Sequence, residues 1–418
     1  MGASSLAAAP AAAANAWLQT WLEQLPPPSG VLAAVQQRGR QALAEQPLPS
    51  ARQEEWRFTD LSLLSRLPLA LAAPPARPLA LPDPPAGVLR LQLDGASDPL
   101  AGVTLPAGLE SLSEAELAQG LGHTLAATGC ERHWPVDLNH AAAGRVLALR
   151  VKSRCQVRLE LVSAQPAGML PLRVLLVLEE KAQLELVQRL TAEQAGLTSL
   201  VLEAHLARSA RLEHALLSLG CAEAALLAHL AIEQEPESEL QQVAVSAGWG
   251  LARLEPRLHQ VDGQASSTLR ALQLVQGTQI ADTHSHVAFG GPEGQLDQLH
   301  KAVAAGQGRS VFNGAVRVPR AAQRTRAAQL SRNLLLSDRA RIDTKPELEI
   351  VADDVTCAHG ATVSCLQTDE LFYLQSRGIG ADQASALLRR AFCEEVLREL
   401  PAAARACGQL DRLLQEAP

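Results

Sequence analysis

Cys357 and His359 are separated by one alanine, so in an extended strand the thiol and the imidazole project side by side on the same face. A thiolate and an imidazole suit zinc, iron or an iron–sulfur cluster. Sites of that kind usually take four ligands and this pair offers two, so the others must come from elsewhere in the fold or from another chain. A similar spacing occurs in Asp282-Thr283-His284-Ser285-His286, which sets Asp282, His284 and His286 on one strand face, where three such groups can hold a metal. The plainer expectation there is a polar, solvated face, because nothing near in sequence supplies a fourth ligand or a general base. Asp353-Asp354 offers the paired carboxylates of glycoside cleavage, yet adjacent strand residues point to opposite faces unless the strand bends. Gly290-Gly291 and Gly306-Gln307-Gly308 are not phosphate loops, since neither leads into Lys-Ser or Lys-Thr at a helix start.

The elements that must position these groups follow from periodicity. Residues 12–25 place Trp17, Leu18, Trp21, Leu22 and Leu25 at helical spacing before the Pro26-Pro27-Pro28 breaker, and a second helix is expected over Gly30 to Ala44. Trp56 and Phe58, in EEWRFTDL, read as an aromatic anchor for a small N-terminal core. Residues 66–108 are dense in Pro and Ala and read as loop, with a short strand at Val88 to Leu93; a short helix runs from Ser113 to Gly120. From about Arg145 the period changes to 2. Val157, Leu159 and Leu161 alternate with polar neighbours, and the pattern returns at 172–178, 182–190, 198–206, 211–219, 226–232, 240–246 and 269–275. No helical crossover lies between these runs, so the middle of the chain is an all-β array, either a sandwich or a solenoid. Three helices are expected after it: one capped by Thr368-Asp369 and stopped by Gly378, one over Ala381 to Leu400 with Ala384, Leu387, Leu388, Ala391 and Phe392 on one stripe, and one over about Ala403 to Gln415.

Composition narrows the class. The chain has 418 residues, 47% of them hydrophobic but only 3% aromatic, so the core is built from Leu, Val and Ala and no stacking platform for bases or sugars is evident. A net charge of -7 argues against a general nucleic-acid binder. Seven cysteines without regular spacing or a CxxC are not a disulfide framework and imply a reducing compartment. The Ala-rich opening has no basic n-region and is broken by Pro10, and no apolar run approaches the ~18 residues of a membrane helix. A cytoplasmic protein is expected.

The run NLLLSDRARIDTKPELEIVADDVTCAHGAT, followed by LFYLQSRGI, resembles the C-terminal signature of the SufB/SufD family, subunits of the SUF iron–sulfur cluster assembly scaffold. His359-Gly360-Ala361 is similar to the form found in the SufD branch, where the SufB branch typically has His-Glu-Ala, and Glu55-Trp56-Arg57-Phe58-Thr59-Asp60 is similar to that branch's N-terminal signature. The resemblance implies a mainly β fold, a right-handed parallel β-helix over 141–366 flanked by an N-terminal helical and loop-rich segment (1–140) and a C-terminal helical domain (367–418). It also implies a non-catalytic scaffold subunit that pairs with SufB through the β-helix and carries the SufC ATPase on its C-terminal helices. On that reading His359, and less directly Cys357, bind iron or a nascent cluster shared with SufB, with no cofactor held permanently by this chain alone. Leu388, Phe392, Glu394, Glu395, Leu397 and Arg398 then contact SufC. An uncovered interface end would also allow a homodimer in SufB's absence. Two other readings stand beside it: a β-helix carbohydrate-active enzyme using Asp353 and Asp354, and a structural adaptor in which Cys357 and His359 are incidental.

Overall fold

The computed structural model describes residues 8–68, 70–73, 81–405 and 410, and of residues 8–15 and 403 the backbone alone. Its strands in chain order are β1 (Leu89–Gln92), β2 (Leu109–Ser111), β3 (Leu147–Val151), β4 (Gln156–Gln165), β5 (Gly168–Leu178), β6 (Gln183–Ala192), β7 (Gly196–Leu206), β8 (Arg211–Leu219) and β9 (Ala224–Gln234). They continue with β10 (Glu239–Ala247), β11 (Leu251–Gln260), β12 (Ser266–Val275), β13 (Ile280–Phe289), β14 (Gln295–Ala304), β15 (Arg309–Val318), β16 (Arg326–Leu335), β17 (Arg341–Ile350) and β18 (Thr356–Ser364). Even-numbered strands from β4 to β18 stack in one sheet behind β1, odd-numbered strands from β3 to β17 in a second beside β2, and successive strands alternate between the two. Every pairing is parallel except that of β2 with β3. This is a two-sheet parallel β-solenoid, so of the two architectures open to the sequence the solenoid is the one formed.

Partners in successive coils lie 26 to 32 residues apart, from Ala225 opposite Leu251 to Arg309 opposite Arg341. Seven successive coils each spend one non-glycine residue in the left-handed region at the turn into the even-numbered sheet, Arg154, Lys181, Ser209, Glu237, Gln264, Glu293 and Arg324, with φ between 56° and 64°; the turn into β18 does not. These turns stack through backbone bonds, as in Lys181 N–H to Arg208 O (3.1 Å) and Ser209 N–H to Pro236 O (3.1 Å), so the strain is held by the neighbouring coil.

The interior of the early coils is aliphatic, with Leu159, Leu172, Leu186, Leu200, Leu212 and Leu230 all buried in one cluster. Toward the C-terminal end it turns polar: Gln242, Gln273, Gln298, His300, Gln329, Ser331 and Asn333 are buried. Several of these groups bond to one another, Gln329 Nε2 donating to Gln298 Oε1 (2.9 Å) and Gln298 Nε2 to Ser285 Oγ (2.8 Å), while both His300 ring nitrogens are buried without a partner among the described residues.

Helices α1 (Ala8–Gln24), α2 (Ala33–Glu45), α3 (Glu114–Gly120), α4 (His123–Ala127) and α5 (Trp134–Ala142) precede the coils, and α6 (Thr368–Ser376), α7 (Ala381–Leu397) and α8 (Ala402–Arg405) follow. Leu18, Trp21, Leu43, Trp56 and Leu138 seal the outer face of the odd-numbered sheet against Met169, Leu197 and Leu227, so Trp56 is the anchor its sequence setting suggests. On the outer face of the other sheet, α7 buries Cys393, Val396 and Leu397 against Leu217, Val245 and Leu272. No helix among the described residues is long and apolar enough to cross a membrane.

Several expectations need correction. Gln367, not Thr368, is the N-cap of α6, and it makes no side-chain cap bond, although Gly378 closes the helix as expected, with φ +85°. The stripe predicted on α7 is not its buried face: Ala384 is buried, but Leu387 and Ala391 are exposed, and Cys393, Val396 and Leu397 point inward instead. Heptad-like spacing fixed the helix but not its rotation about its axis. Of the third C-terminal helix the described part is Ala402–Arg405, and residues 406–409 and 411–415 lie outside the described residues.

Candidate functional site at the open end of the solenoid

β18 is the last strand of its sheet and β17 the last of the other, so the backbone edges of both face outward with no further coil stacked on them. In β16, Ala327, Gln329, Ser331 and Asn333 point into the solenoid and are buried. Parallel register sets Cys357 opposite Ala327, His359 opposite Gln329, Ala361 opposite Ser331 and Val363 opposite Asn333. Cys357 and His359 therefore belong to the inward-facing series of the terminal coil, but nothing among the described residues covers that series. Cys357 is half-buried against the core while His359 is exposed.

Burial raises the Cys357 thiol above its ordinary value, with a smaller opposing effect from a backbone hydrogen bond at Ala327. It is a thiol at neutral pH, and binding a metal would release its proton. Beneath the imidazole lies Gln329, whose Nε2 is committed to Gln298 while Oε1 is buried without a partner among the described residues. No third His, Cys, Asp or Glu among the described residues joins Cys357 and His359 in a metal-holding group. The rim carries apolar side chains in water: Val351 is 56% exposed, Val363 45% and Ile350 39%.

The predicted C-terminal contact residues divide. Leu397 is buried against the chain's own solenoid. Glu395 Oε2 accepts from Lys301 Nζ (2.6 Å), which also donates to Phe392 O (2.6 Å) and lies 3.9 Å from the Phe392 ring centroid. Glu395 and Phe392 thus clasp α7 onto β14. Glu394 and Arg398 are exposed and Leu388 is half-buried. Sequence reasoning missed Phe372, 71% exposed, and Tyr373, 58%, on a helix with no buried residue, and placed Leu387, 44% exposed, on the wrong face. The signal was in LFYLQSRGI, where apolar residues run too closely for one buried stripe.

Asp282, His284 and His286 share the outer face of β13, but that face is not solvated as expected. Asp282 is buried, accepting from Arg253 Nη1 (2.6 Å) and from the Thr59 hydroxyl, with His284 Nε2 3.2 Å away. Arg253 and His284 hold the Asp282 carboxyl below its ordinary range against the opposing effect of burial. The three form no metal-holding group. Asp353 and Asp354 sit in an exposed bend between β17 and β18, where Asp354 O receives the Arg324 N–H (2.5 Å) and its N–H reaches Gln323 Oε1 (2.9 Å).

Comparison with known proteins agrees with this architecture. The family model for the SUF system FeS cluster assembly, SufBD core domain, matches residues 161–392. An iron–sulfur cluster assembly SufBD family protein of Synechocystis is 32% identical over 405 residues, covering 89% of this chain and 88% of its own. The iron–sulfur cluster assembly protein SufD of Escherichia coli is 38% identical over 143 residues, 34% of each chain, and SufD of Bacillus subtilis is 34% identical over 140 residues, 34% of this chain and 32% of its own. A match spanning most of the solenoid, with a relative aligned along nearly the whole length, shows that this chain belongs to the SufBD family of SUF-system iron–sulfur cluster assembly proteins and is SufD-like.

Proposed function

We propose that the chain is a non-catalytic scaffold subunit whose terminal coil is completed by a SufB-type sister, and that an iron or nascent iron–sulfur cluster is held as cargo between them. The observation that carries this reading is the exposed inward face of β18, where His359 and Cys357 are core-facing positions without a core over them. Unpaired parallel edges with exposed Val351 and Val363 favour closure by another polypeptide. His359 supplies an imidazole nitrogen and Cys357 a sulfur once its proton is lost; the sister supplies the remaining ligands.

A SufC-type ATPase docks on the outward surface of α6 and α7. Phe372, Tyr373 and Leu387 form its apolar centre, with Glu394 and Arg398 on the rim. The exposed apolar side chains of a helix that buries none of its own support this assignment. All six described cysteines are free, which supports work in a reducing compartment such as the cytoplasm.

Co-expression with SufB-type and SufC-type chains tests the proposal. All three should co-purify with iron and sulfide. Recovery of this chain without either companion would overturn it.

A further inference from the structure

Far from the terminal coil in sequence, three metal-ligating side chains meet where the N-terminal layer covers the odd-numbered sheet. His229 on β9 and Glu255 on β11 are direct register partners on adjacent strands, and both are buried. His133, the residue before α5, closes over them. Three atoms converge: His229 Nε2 lies 3.0 Å from Glu255 Oε2, His133 Nδ1 lies 3.4 Å from the same oxygen, and the two nitrogens are 3.3 Å apart. Ligands at the ~2.0–2.1 Å bond lengths of a tetrahedral first-row ion stand about 3.3–3.4 Å from one another, so this triangle has the size of one face of such a site. The two rings meet edge to face, their planes 86° apart.

The carboxylate is held for the purpose. Arg253 Nε donates to Glu255 Oε1 at 2.6 Å, and Arg253 is itself fixed by Asp282 and by the Trp56 ring 3.8 Å away. That leaves Oε2 facing the imidazoles. Arg257 Nη2 also reaches Oε2, at 3.2 Å, and shares an oxygen that has more than one lone pair to offer. A cleft of about 330 Å³, lined among others by Gln53, Trp56 and Arg132, opens on His133 and Glu255, two of the three ligands, and offers an ion a route in from that side.

We propose that His133, His229 and Glu255 form a binding site for one divalent first-row transition-metal ion, with two imidazoles and a carboxylate as ligands and an open position toward the cleft. The site stands apart from cluster building at β18. It is tested on the full chain carrying Cys357→Ser and His359→Ala, so that the terminal coil contributes no ligand. Equilibrium dialysis should find one Zn²⁺ per chain, and Co²⁺ should give the visible absorption of a tetrahedral nitrogen and oxygen site. His133→Ala removes a side chain that makes no cap bond, so the protein should keep its circular dichroism while losing at least tenfold in Zn²⁺ affinity. His229→Gln should do the same. Zn²⁺ should raise the melting temperature of the parent chain but not of either variant. No bound Zn²⁺ in the parent, or binding undiminished in His133→Ala, would overturn the proposal and leave the triad as a proton-bridged network.

Discussion

At the scale of single residues the account turns on His359 and what lies under it. The sequence made His359 and Cys357 legible, because a two-residue spacing on a strand is visible without coordinates. Gln329 was not legible: a glutamine thirty positions upstream becomes its neighbour only through the coil register. Gly314 shows how closely that neighbour is packed, since an added Cβ would stand 2.3 Å from Gln329 Nε2 and 2.6 Å from Phe312 Cζ. Gly314→Ala must therefore displace the amide or the ring, and a loss of about 1–3 kcal/mol is expected, read as a lower denaturant midpoint at unchanged slope. Asp282 taught the opposite lesson. Its spacing with two histidines was visible, but the Arg253 and Thr59 that consume it arrive from another coil and from the N-terminal layer.

At the scale of elements, the alternating runs up to residue 275 became strands, while β2, β3, β11 and β14 to β17 were not individually picked out. Their physics hides the period. Outward Arg253, Glu255 and Arg257 in β11 are covered by the N-terminal layer, inward Gln298 and His300 in β14 are polar, and β17 carries Pro346 within an otherwise charged strand. When both faces are buried, or the inward face is the polar one, alternation no longer reports side. The left-handed turn residues were also invisible, because the coil below imposes their φ. Lys181→Val puts a β-branched side chain at φ 61° and should cost about 1–2 kcal/mol in chemical denaturation, whereas Lys181→Gly should not destabilise comparably. In the C-terminal helices, Phe372→Ser should leave stability within about 0.5 kcal/mol, because the ring is in water, and yet abolish retention of a SufC-type partner in pull-down. Equal retention would move the docking surface elsewhere.

At the scale of the whole molecule, the solenoid is closed by its own chain at one end and unfinished at the other, and its interior becomes polar toward the unfinished end. Buried histidines, His214 and His300 inside the solenoid and His140 on α5 in the layer over it, make the fold sensitive to acid. Burial pushes His214 down to about 4 and His300 to about 3, and burial with Arg173 nearby pushes His140 to about 2. Each stays neutral in the fold while its unfolded counterpart takes up a proton below about pH 6.5, so stability present above that pH is lost as pH falls toward the folded values, by up to about 1.4 kcal/mol per pH unit for each group. Asp137, raised to about 6 by burial, works the other way between about 6 and 4 and offsets one of them. Urea midpoints should therefore fall as pH drops from 6.5 to 4.5, and His300→Gln should flatten that slope. The most direct test of the unfinished end is the iron and acid-labile sulfide content of the purified assembly with SufB-type and SufC-type partners, compared between the parent chain and His359→Ala. The account predicts an assembly of unchanged subunit composition that has lost most of its iron and sulfide. An intact assembly with its full complement of both would contradict it.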